Sequence, residues 1–374
     1  MLDKSIYVTQ SSLPSYEDYI EMIRPMWNTH KLTNMGDYHK QLESELKECL
    51  GVSYISLMVN GHTALEMAIQ AMEFEEGSEI ITTPFTFVST THAILRNNMV
   101  PVFCDIKESD YTIDENKIEA LITNKTVAIL PVHVYGNVCN YHEIDKIAKK
   151  YNLKVIYDAA HSFGEVIDNR SVESLGDASV LSFHATKVFN TIEGGAVCSK
   201  DPVFNERLYN LKNFGIRSEE SVVAVGANGK MNEFCAAMGL CNLKNISNDI
   251  FLRKCKSKLY DSLLCSIEGI ILRNDKNNII YNYGYYPVRF LNKEVRDQVY
   301  ELLRKNNIYA RKYFYPITTD HKCFGNKYWN SSISISRMVS DSILTLPLYP
   351  TLDDSVIITI CGIITDVLIK VINK

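Results

Sequence analysis

Short apolar runs alternate with amphipathic stretches between residues 53 and 199 of the chain. The runs are rich in β-branched residues, which is typical of buried strands, and they are YISLMV, EIITT, PVFCDI, VAILPVHVYG, KVIYDAA, SVLSFH and GGAVCS. Helical patterns lie between them, including one from Thr63 to about Met72 and one from about Val88 to Arg96. Because parallel strands are joined by crossover helices, the pattern predicts an α/β fold with a mostly parallel central sheet covered on both faces.

Other patterns precede and follow this region. Two helical segments, PSYEDYIEMIRPMW and GDYHKQLESELKECLG, come before the first strand. Residues 213–232 carry Gly, Asn and charges without any period, which predicts a long loop, and a helical region continues from there to about Leu264. Long loops inside compact domains are usually functional.

The last third of the chain changes character. An alternating strand YNYGYYPVRF, a helix KEVRDQVYELLRKN and a strand IYARKYFYP predict a smaller α+β unit. We therefore divide the chain into an N-terminal arm and helix (1–30), a large α/β domain (31–250) and a small C-terminal α+β domain (251–374). The second boundary falls within the long helical region.

Charge and composition exclude several classes of protein. The 39 basic and 44 acidic residues give a net charge of −5 and are interspersed, so nucleic acid is not an expected partner. Ten scattered cysteines without a CxxC pair and an N-terminus without an apolar signal segment favour the cytoplasm. The apolar segment VIITICGIITDVLIKVI is interrupted by Asp366 and Lys370, so we predict a helix packed on the core rather than a membrane span.

The familiar catalytic motifs do not occur in the sequence. There is no GxGxxG, P-loop, GxSxG or HExxH sequence, and the nine histidines do not combine with the cysteines at a metal-ligand spacing. A metal enzyme and a P-loop kinase are therefore disfavoured, and we expect no metal.

Two charged residues follow predicted parallel strands, at the edge where open α/β sheets bind ligands. Asp158 comes directly after KVIY, where an acid is often only a helix cap. Lys187 follows the strand SVLSFH, where a lysine is most often a surface residue. However, small and apolar residues flank Lys187, and Gly194 and Gly195 behind it allow another backbone to approach closely. Buried lysines act as nucleophiles toward carbonyl groups.

Two further features follow other strands of the same sheet. A turn at Asn60 and Gly61 opens a helix at Thr63, and helix N-termini bind phosphate, whereas the alternative role of Thr63 is to cap the helix. Phe87 follows EIITT and is suited either to stack on a planar ligand or to fill the core. Together with Ser182, these groups match pyridoxal 5′-phosphate (PLP), which needs a lysine for its aldehyde and a carboxylate for its ring nitrogen.

The sequence resembles the DegT/StrS-type nucleotide-sugar aminotransferases, which belong to the fold type I superfamily of PLP-dependent enzymes. The matching stretches are LTNMG, NGHTAL, TTPFTFVST, PVHVYG, YDAAHSFG, SFHATKVFNTIEGGAV, GANGKMNEFCAA and ILTLPLYPTL. They run through nearly the whole chain, and those that contain Asp158 and Lys187 are the most specific.

The resemblance implies a role for each candidate cofactor residue. Lys187 would hold PLP as an internal aldimine and move the proton between Cα and C4′, with Asp158 at the pyridine nitrogen. Phe87 would stack on the ring, while Ser182 and the turn from Gly61 to Thr63 would take the phosphate. The position of Asn228 in the long loop implies a contact with the phosphate of a second subunit, and hence a homodimer with shared active sites.

Two residues depart from the family pattern. His161 stands where glutamine is common, and we keep it as a contact to the phenolic oxygen of the cofactor. His62 stands in the Gly-Thr turn where serine or threonine is common, so the phosphate contacts there would depend on backbone N–H groups. Related deoxygenating enzymes replace the lysine by histidine, so the presence of Lys187 favours a transaminase over a dehydratase.

The resemblance also implies a reaction. L-glutamate would convert the cofactor to pyridoxamine 5′-phosphate, which would then aminate C-4 of dTDP-4-keto-6-deoxy-D-glucose for surface polysaccharide or O-antigen biosynthesis. The stretch ARKYFYPI indicates sugar or diphosphate contacts, whereas a tyrosine-rich strand also suits domain packing. These candidate substrate residues are Arg311, Lys312, Tyr313 and Tyr315. His184 and His133 are candidates for the sugar pocket, with a core position as the alternative for each.

Three alternatives stay open at this point. They are amination at C-3 of a dTDP-3-keto-6-deoxyhexose, a GDP- or UDP-linked keto-sugar as substrate, and a PLP-binding regulatory protein without turnover.

Overall fold

The computed structural model describes residues 4–325, 327 and 332–372, and these form strands and helices throughout. The strands are β1 (Ile6–Tyr7), β2 (Tyr54–Met58), β3 (Glu79–Thr82), β4 (Val100–Phe103), β5 (Thr126–Leu130), β6 (Lys154–Asp158), β7 (Val166–Ile167), β8 (Arg170–Ser171), β9 (Ala178–Ser182), β10 (Gly195–Ser199), β11 (Ile216–Ser218), β12 (Ser221–Val222), β13 (Ile270–Leu272), β14 (Ile279–Ile280), β15 (Tyr286–Phe290), β16 (Ile308–Tyr309) and β17 (Ile343–Leu346).

The helices cover the sheets and connect their strands. They are α1 (Tyr16–Ile23), α2 (Met26–Thr29), α3 (Asp37–Leu50), α4 (Gly61–Gln70), α5 (Val88–Arg96), α6 (Glu115–Ile118), α7 (Tyr141–Tyr151), α8 (Pro202–Leu211), α9 (Glu233–Leu243), α10 (Ile246–Leu264), α11 (Lys293–Lys305), α12 (Ser334–Ser342) and α13 (Asp354–Ile372).

The central sheet has seven strands in the order β2-β10-β9-β6-β5-β3-β4. Neighbours from β9 to β4 are all parallel, whereas β10 runs antiparallel to both β2 and β9. Ile80 and Ile81 point to opposite faces of β3 and are both fully buried, because helices cover the sheet on each side. The predicted α/β fold with a mostly parallel sheet is therefore confirmed.

The predicted elements differ from the structure mainly at their ends. The strand predicted in VAILPVHVYG ends at Leu130, and α4 begins at Gly61 rather than at Thr63. Asn60 caps α4, since its side chain accepts the N–H of Thr63 at 2.8 Å. The cap is therefore one turn earlier than the helix pattern indicated.

The predicted long loop at 213–232 contains a small hairpin, in which β11 and β12 pair with a shifted register. Its apolar side chains are turned toward solvent, and Val222 and Val225 are 69% and 89% exposed. The loop is anchored at its base, because Asn213 and Asn228 form an isolated antiparallel bridge.

The C-terminal region forms an antiparallel sheet in the order β13-β15-β17. Only the second half of the predicted strand YNYGYYPVRF is extended, since the carbonyl oxygen of the Asn282 side chain accepts the N–H of Gly284 at 2.9 Å in a turn. The domain division stays a prediction, because α10 runs across residue 250 without a break. The predicted arm and small domain also include residues 1–3, 326, 328–331, 373 and 374, which lie outside the described residues.

The first residues of the chain contact distant parts of the structure. Strand β1 pairs in parallel with β16, and the N–H of Leu348 donates to the carbonyl of Val8 at 3.1 Å. The Ser12 carbonyl accepts a hydrogen bond of 2.9 Å from Asn190 Nδ2. The N-terminal segment therefore connects the last third of the chain with the segment that follows β9.

Helix α13 is long and apolar enough to cross a membrane by length and composition alone. One face of it, including Ile357, Ile360 and Ile364, is fully buried in the largest hydrophobic core of the described residues, next to α10 and α11. The predicted packing of this helix on a core is thus observed, although the helix is longer than the uninterrupted apolar segment indicated.

Candidate active site

A cavity of about 600 Å³ opens at the carboxyl edge of the central sheet. Strands β6 and β9 are neighbours and end at Asp158 and Ser182, and Gly195 at the start of antiparallel β10 is paired with Ser182. Loops that follow β2 and β3 complete the wall. The predicted site residues that line the cavity are Gly61, His62, Phe87, Asp158, His161, Ser182, His184, Lys187, Arg311 and Tyr313.

Five other candidates are not among the lining residues. Lys312 pairs with Asp297, and Tyr315 lies 4.9 Å from the guanidinium of Arg296. Thr63 lies on α4 between the lining residues His62 and Leu65, and Asn228 is exposed at the base of the 213–232 loop. His133 is fully buried and its Nδ1 accepts the N–H of Cys139, as the core alternative anticipated.

Asp158 is a buried carboxylate at the base of the cavity. Its Oδ2 accepts the Thr90 hydroxyl at 2.8 Å, and its Oδ1 accepts the N–H of Ala160 at 3.1 Å. Burial raises the pKa of Asp158, while these two hydrogen bonds and the charge of Lys187 act in the opposite direction. Because no salt bridge within the described ranges involves Asp158, the site favours a ligand that brings a positive charge.

Lys187 is half-buried on the wall of the cavity. Its Nζ donates a hydrogen bond of 3.0 Å to the hydroxyl of Tyr285, and its backbone N–H donates to the carbonyl of His184 at 2.8 Å. The side chain is therefore fixed at both ends while it remains accessible from the cavity, as a nucleophile must be.

The protonation state of His161 follows from its contacts. Its Nδ1 accepts the backbone N–H of Tyr135 at 3.0 Å, so the proton of the neutral ring resides on Nε2. Burial, reinforced by the charge of Lys187, lowers the pKa of His161 well below its ordinary value. His161 therefore offers the cavity a neutral N–H donor, as a glutamine amide would.

The start of α4 forms the anion-binding side of the cavity. The N–H groups of Gly61 and His62 lie in the first helical turn, where an α-helix provides no internal acceptor for them. A Cβ at Gly61 would lie 2.8 Å from Ser182 Cβ, and a Cβ at Gly195 would lie 2.7 Å from the nitrogen of Gly61. The predicted close approach of another backbone to the glycine pair is therefore present, and it places Ser182 beside the helix start.

The remaining predicted residues are accessible rather than packed. Phe87 is 58% exposed although it precedes α5, which excludes the core alternative. His184 is exposed, its Nδ1 lies 2.8 Å from Thr186 Oγ1, and its Nε2 lies 3.6 Å from Glu193. The core alternative for His184 is therefore also excluded, and Glu193 and Thr186 join it on the cavity wall.

Sequence reasoning missed Tyr285 and Thr90, which contact the two central residues. Tyr285 comes 98 positions after Lys187, in a segment that the alternating pattern assigned to a strand. Thr90 faces Asp158 from α5 and carries no signal beyond its place in TTPFTFVST. Both contacts depend on how separate elements pack, which a local pattern does not reveal.

The cavity fits PLP on these observations. A buried carboxylate without a cationic partner, an accessible amine, an exposed aromatic ring and a helix start beside a serine correspond to the ring nitrogen, aldehyde, ring face and phosphate of that cofactor. The fold and the cavity therefore define a PLP-dependent transferase.

Comparison with known proteins makes this class more specific. Residues 15–365 match the model of the DegT/DnrJ/EryC1/StrS aminotransferase family. The chain is 40% identical over 368 residues to a dTDP-4-amino-4,6-dideoxy-D-glucose transaminase of Shigella dysenteriae, covering 98% of this chain and 100% of the relative. It is 43% identical over 365 residues to a transaminase of the same name from Escherichia coli, covering 96% and 98%.

Two solved structures share the fold of this chain over nearly its whole length. The structure of DesI in the presence of its TDP-sugar product superimposes with a TM-score of 0.93 at 27% identity, covering 98% of this chain and 94% of that chain. Helicobacter pylori PseC, an aminotransferase involved in the biosynthesis of pseudoaminic acid, gives a TM-score of 0.90 at 26% identity and covers 98% and 100%. The chain belongs to the DegT/DnrJ/EryC1/StrS aminotransferase family, and it is a PLP-dependent sugar aminotransferase.

Proposed function

We propose that this enzyme transfers the amino group of L-glutamate to C-4 of dTDP-4-keto-6-deoxy-D-glucose, which gives dTDP-4-amino-4,6-dideoxyglucose for surface polysaccharide or O-antigen biosynthesis. The observation that carries the chemistry is the placement of Lys187 and Asp158 in one cavity, at the ends of neighbouring strands. The similarity to two transaminases of that product over nearly their whole length supports the choice of sugar and of carbon.

We assign the cofactor contacts to residues that line the cavity. Asp158 would pair with the ring nitrogen, Phe87 would cover one ring face, and His161 would donate its Nε2–H to the phenolic oxygen. The N–H groups at the start of α4 and the hydroxyl of Ser182 would bind the phosphate. Lys187 Nζ would attach the cofactor covalently.

Lys187 and Asp158 have different roles in the reaction. The chemistry that bound PLP would supply is an acceptor for the electron pair of a broken Cα–H bond. Lys187 Nζ would take the proton from Cα and deliver it to C4′, which is general acid/base catalysis by a positioned amine. Asp158 holds the ring nitrogen protonated because its buried negative charge favours a cation beside it.

The substrate contacts are assigned to the outer part of the cavity. Arg311, Tyr313 and His184 line it, so a guanidinium, a phenol and an imidazole are available for the diphosphate and the sugar hydroxyls. Lys312 and Tyr315 would act there only after leaving their contacts with Asp297 and Arg296.

We also propose a homodimer with shared active sites and a cytoplasmic location. The exposed apolar side chains of the 213–232 loop support the dimer, because such a patch needs a covering surface, and Asn228 lies in the same loop. The ten free cysteines, of which none forms a disulfide in the described part of the chain, fit a reducing compartment.

The Lys187→Ala variant tests the chemistry. We expect the wild type to absorb visible light through its bound PLP and to lose that absorption when L-glutamate is added, whereas Lys187→Ala shows no turnover. Borohydride reduction followed by peptide mass spectrometry should mark Lys187. A variant with full absorption and full turnover would overturn the assignment.

A substrate panel tests the specificity. The enzyme and L-glutamate are incubated with dTDP-, UDP- and GDP-linked keto-sugars, and NMR identifies the aminated carbon. We expect the C-4 amine of the dTDP sugar. An amine at C-3, or preference for another nucleotide, would replace the proposed substrate, and bound PLP that never reacts would favour a regulatory protein.

A further inference from the structure

Tyr285 connects the C-terminal region of the chain with the amine of Lys187. Its hydroxyl accepts the Nζ of Lys187 at 3.0 Å, and that nitrogen lies 5.6 Å from the centre of the tyrosine ring. Tyr285 directly precedes β15, and its side chain lines the same cavity as Asp158. It therefore contacts the reacting group from an element outside the central sheet.

The ring of Tyr285 is held independently of its hydroxyl. Its centre lies 4.3 Å from the His161 ring and 5.9 Å from the Tyr135 ring. The Asn282 side chain, three residues earlier, donates to the backbone carbonyl of His161 at 2.9 Å and so joins the two segments. The phenolic oxygen is thus a fixed acceptor rather than the end of a mobile side chain.

The Lys187 amine has a competing partner in the cavity. The charge of Lys187 acts on the pKa of Asp158, so the two groups are within electrostatic range, yet the salt bridges of the described ranges do not include this pair. An ion pair between them would neutralise the carboxylate that the ring nitrogen of PLP requires. The bond to Tyr285 holds the amine away from that contact.

We propose that Tyr285 is a positioning residue that holds the Lys187 amine whenever this amine is not attached to the cofactor. This inference rests on the proposed function, because it concerns the steps in which the lysine is free. Lys187 Nζ donates one N–H to the phenolic oxygen, and its other hydrogens or its lone pair stay available to the cavity. Proton transfer needs the amine within hydrogen-bond reach of the reacting carbon, so a fixed amine shortens the search for that geometry.

Tyr285→Phe removes only the hydroxyl and keeps the ring contacts. We expect the rate of PLP attachment to the cofactor-free protein and the single-turnover rate with saturating L-glutamate each to fall by about 10- to 100-fold, because a displaced group of this kind costs that much. The KM for the keto-sugar, the amount of PLP bound at equilibrium and the melting temperature should stay at their wild-type values.

Tyr283→Phe is the matched control. It removes a hydroxyl from the same segment, one that lies 3.3 Å from Asp275 Oδ2 instead of facing Lys187. We expect wild-type rates for this variant. Tyr285→His, which keeps an aromatic ring that can accept a hydrogen bond, should recover part of the rate that Tyr285→Phe loses.

Three results would overturn the proposal. They are equal rates for Tyr285→Phe and Tyr283→Phe, equal rates for Tyr285→Phe and Tyr285→His, and a loss of stability in Tyr285→Phe that accounts for its lower rates. Borohydride labelling of the wild type separates this inference from the proposed function. A missing label on Lys187 refutes the function itself, whereas a label on Lys187 with unchanged Tyr285→Phe rates refutes only the role of Tyr285.

Discussion

At the scale of single residues, Asp158 carries an electrostatic cost that the cofactor would relieve. The carboxylate is buried, and its pKa is raised because the two hydrogen bonds and the charge of Lys187 do not fully replace its lost hydration. A group whose pKa is raised on folding favours the folded state below its ordinary pKa, and this contribution is lost as the pH rises through the folded value. At neutral pH, the buried charge of Asp158 therefore lowers the stability of the cofactor-free protein, and the role of this residue is functional.

Asp158→Asn should accordingly separate stability from activity. The amide oxygen can accept the N–H of Ala160 and the amide nitrogen can donate to the Thr90 hydroxyl, so the variant removes the buried charge and keeps both contacts. We expect a higher melting temperature for the cofactor-free protein at pH 7 and transamination lower by about 100-fold or more, from the lost charge stabilisation.

Asp145→Asn provides the comparison for this variant. Burial also raises the pKa of Asp145, which lies on α7 and does not line the active-site cavity. We expect its turnover to stay at the wild-type level. Unchanged transamination in Asp158→Asn, measured beside this control, would remove Asp158 from the cofactor site.

The sequence indicated the two central residues because Asp158 ends a strand that its apolar pattern reveals, and Lys187 follows five residues after the end of another. Asp158 and Lys187 are recognisable in this way, and the sheet brings their strands together. Tyr285 was not recognisable, because its place depends on a turn at Asn282 and on packing between distant segments. For Lys312 and Tyr315 the sequence was misleading. The basic and aromatic composition of their segment indicated substrate contacts, but it did not reveal that Asp297 and Arg296 hold the two side chains.

At the scale of elements, the contact between β10 and the start of α4 fixes the anion-binding side of the cavity. The apolar pattern predicted both elements but not the reversed direction of β10, because side-chain alternation is the same in parallel and antiparallel strands. That reversal places Gly195, the first residue of the strand, at the carboxyl edge of its neighbours. The glycine is required there because the backbone of Asn60 occupies the space of a Cβ.

Gly195→Ala should therefore move α4. The added Cβ would lie 2.7 Å from backbone atoms of Asn60 and Gly61, so one segment must shift. We expect unfolding free energy to fall by about 1–3 kcal/mol, as for other overpacked sites, and PLP to bind more weakly. Denaturant unfolding and PLP titration measure the two effects.

Gly362→Ala is the control for this substitution. A Cβ at Gly362 in α13 meets nothing within 4 Å, and alanine in a helix is favoured over glycine by about 0.5–1 kcal/mol. The variant should be slightly more stable than the wild type. A Gly195→Ala protein with wild-type stability and PLP affinity would contradict the tight contact.

An ion pair between a buried lysine and a half-buried glutamate joins α3 to the residue that follows α8. Lys212 is fully buried, and its Nζ lies 3.1 Å from Glu43 Oε1, which also accepts the N–H of Leu57 at 3.1 Å. Although burial opposes the charge of Glu43, the hydrogen bond from His39 and the charge of Lys212 lower its pKa to about 2. Burial also lowers the pKa of Lys212, while Glu43 opposes that change.

Glu43→Gln should destabilise the fold in a pH-dependent way. The pKa of Glu43 is lowered from 4.5, so its contribution is present above pH 4.5 and disappears as the pH falls toward 2. We expect unfolding free energy to fall by about 3 kcal/mol at pH 7, because Lys212 loses its partner, and the variant and the wild type to converge on acidification.

Urea unfolding between pH 7 and pH 3 measures this convergence. Glu48→Gln in the same helix, at an exposed position, should give the wild-type curve at every pH. A constant difference between Glu43→Gln and the wild type would show that the ion pair does not control the stability of this region.

At the scale of the whole molecule, the 213–232 loop presents an apolar surface that the proposed dimer would cover. Val225→Asp places a charge at a position that is 89% exposed in one chain. We expect the variant to run as a monomer in light-scattering chromatography and to lose transamination, since the loop also carries Asn228. Val203→Asp, at a position on α8 that is 55% exposed, should leave both properties unchanged.

The reaction of Lys187 with PLP in the monomeric variant provides a further check. If the loop of one subunit completes the site of the other, Val225→Asp should act only on association, and its Lys187 should still react with PLP. A monomeric variant with full turnover would show that each chain is complete by itself.

The pairing of β1 with β16 has a consequence for the folding of the enzyme during its synthesis. Residues 6–12 leave the ribosome long before their partners at Ile308 and Leu348, because translation proceeds along the chain from the N-terminal side. The same segment holds Asn190, three residues beyond Lys187, through the carbonyl of Ser12. The N-terminal segment can therefore complete its set of contacts, including the one that supports the segment of Lys187, only after Leu348 has been synthesised.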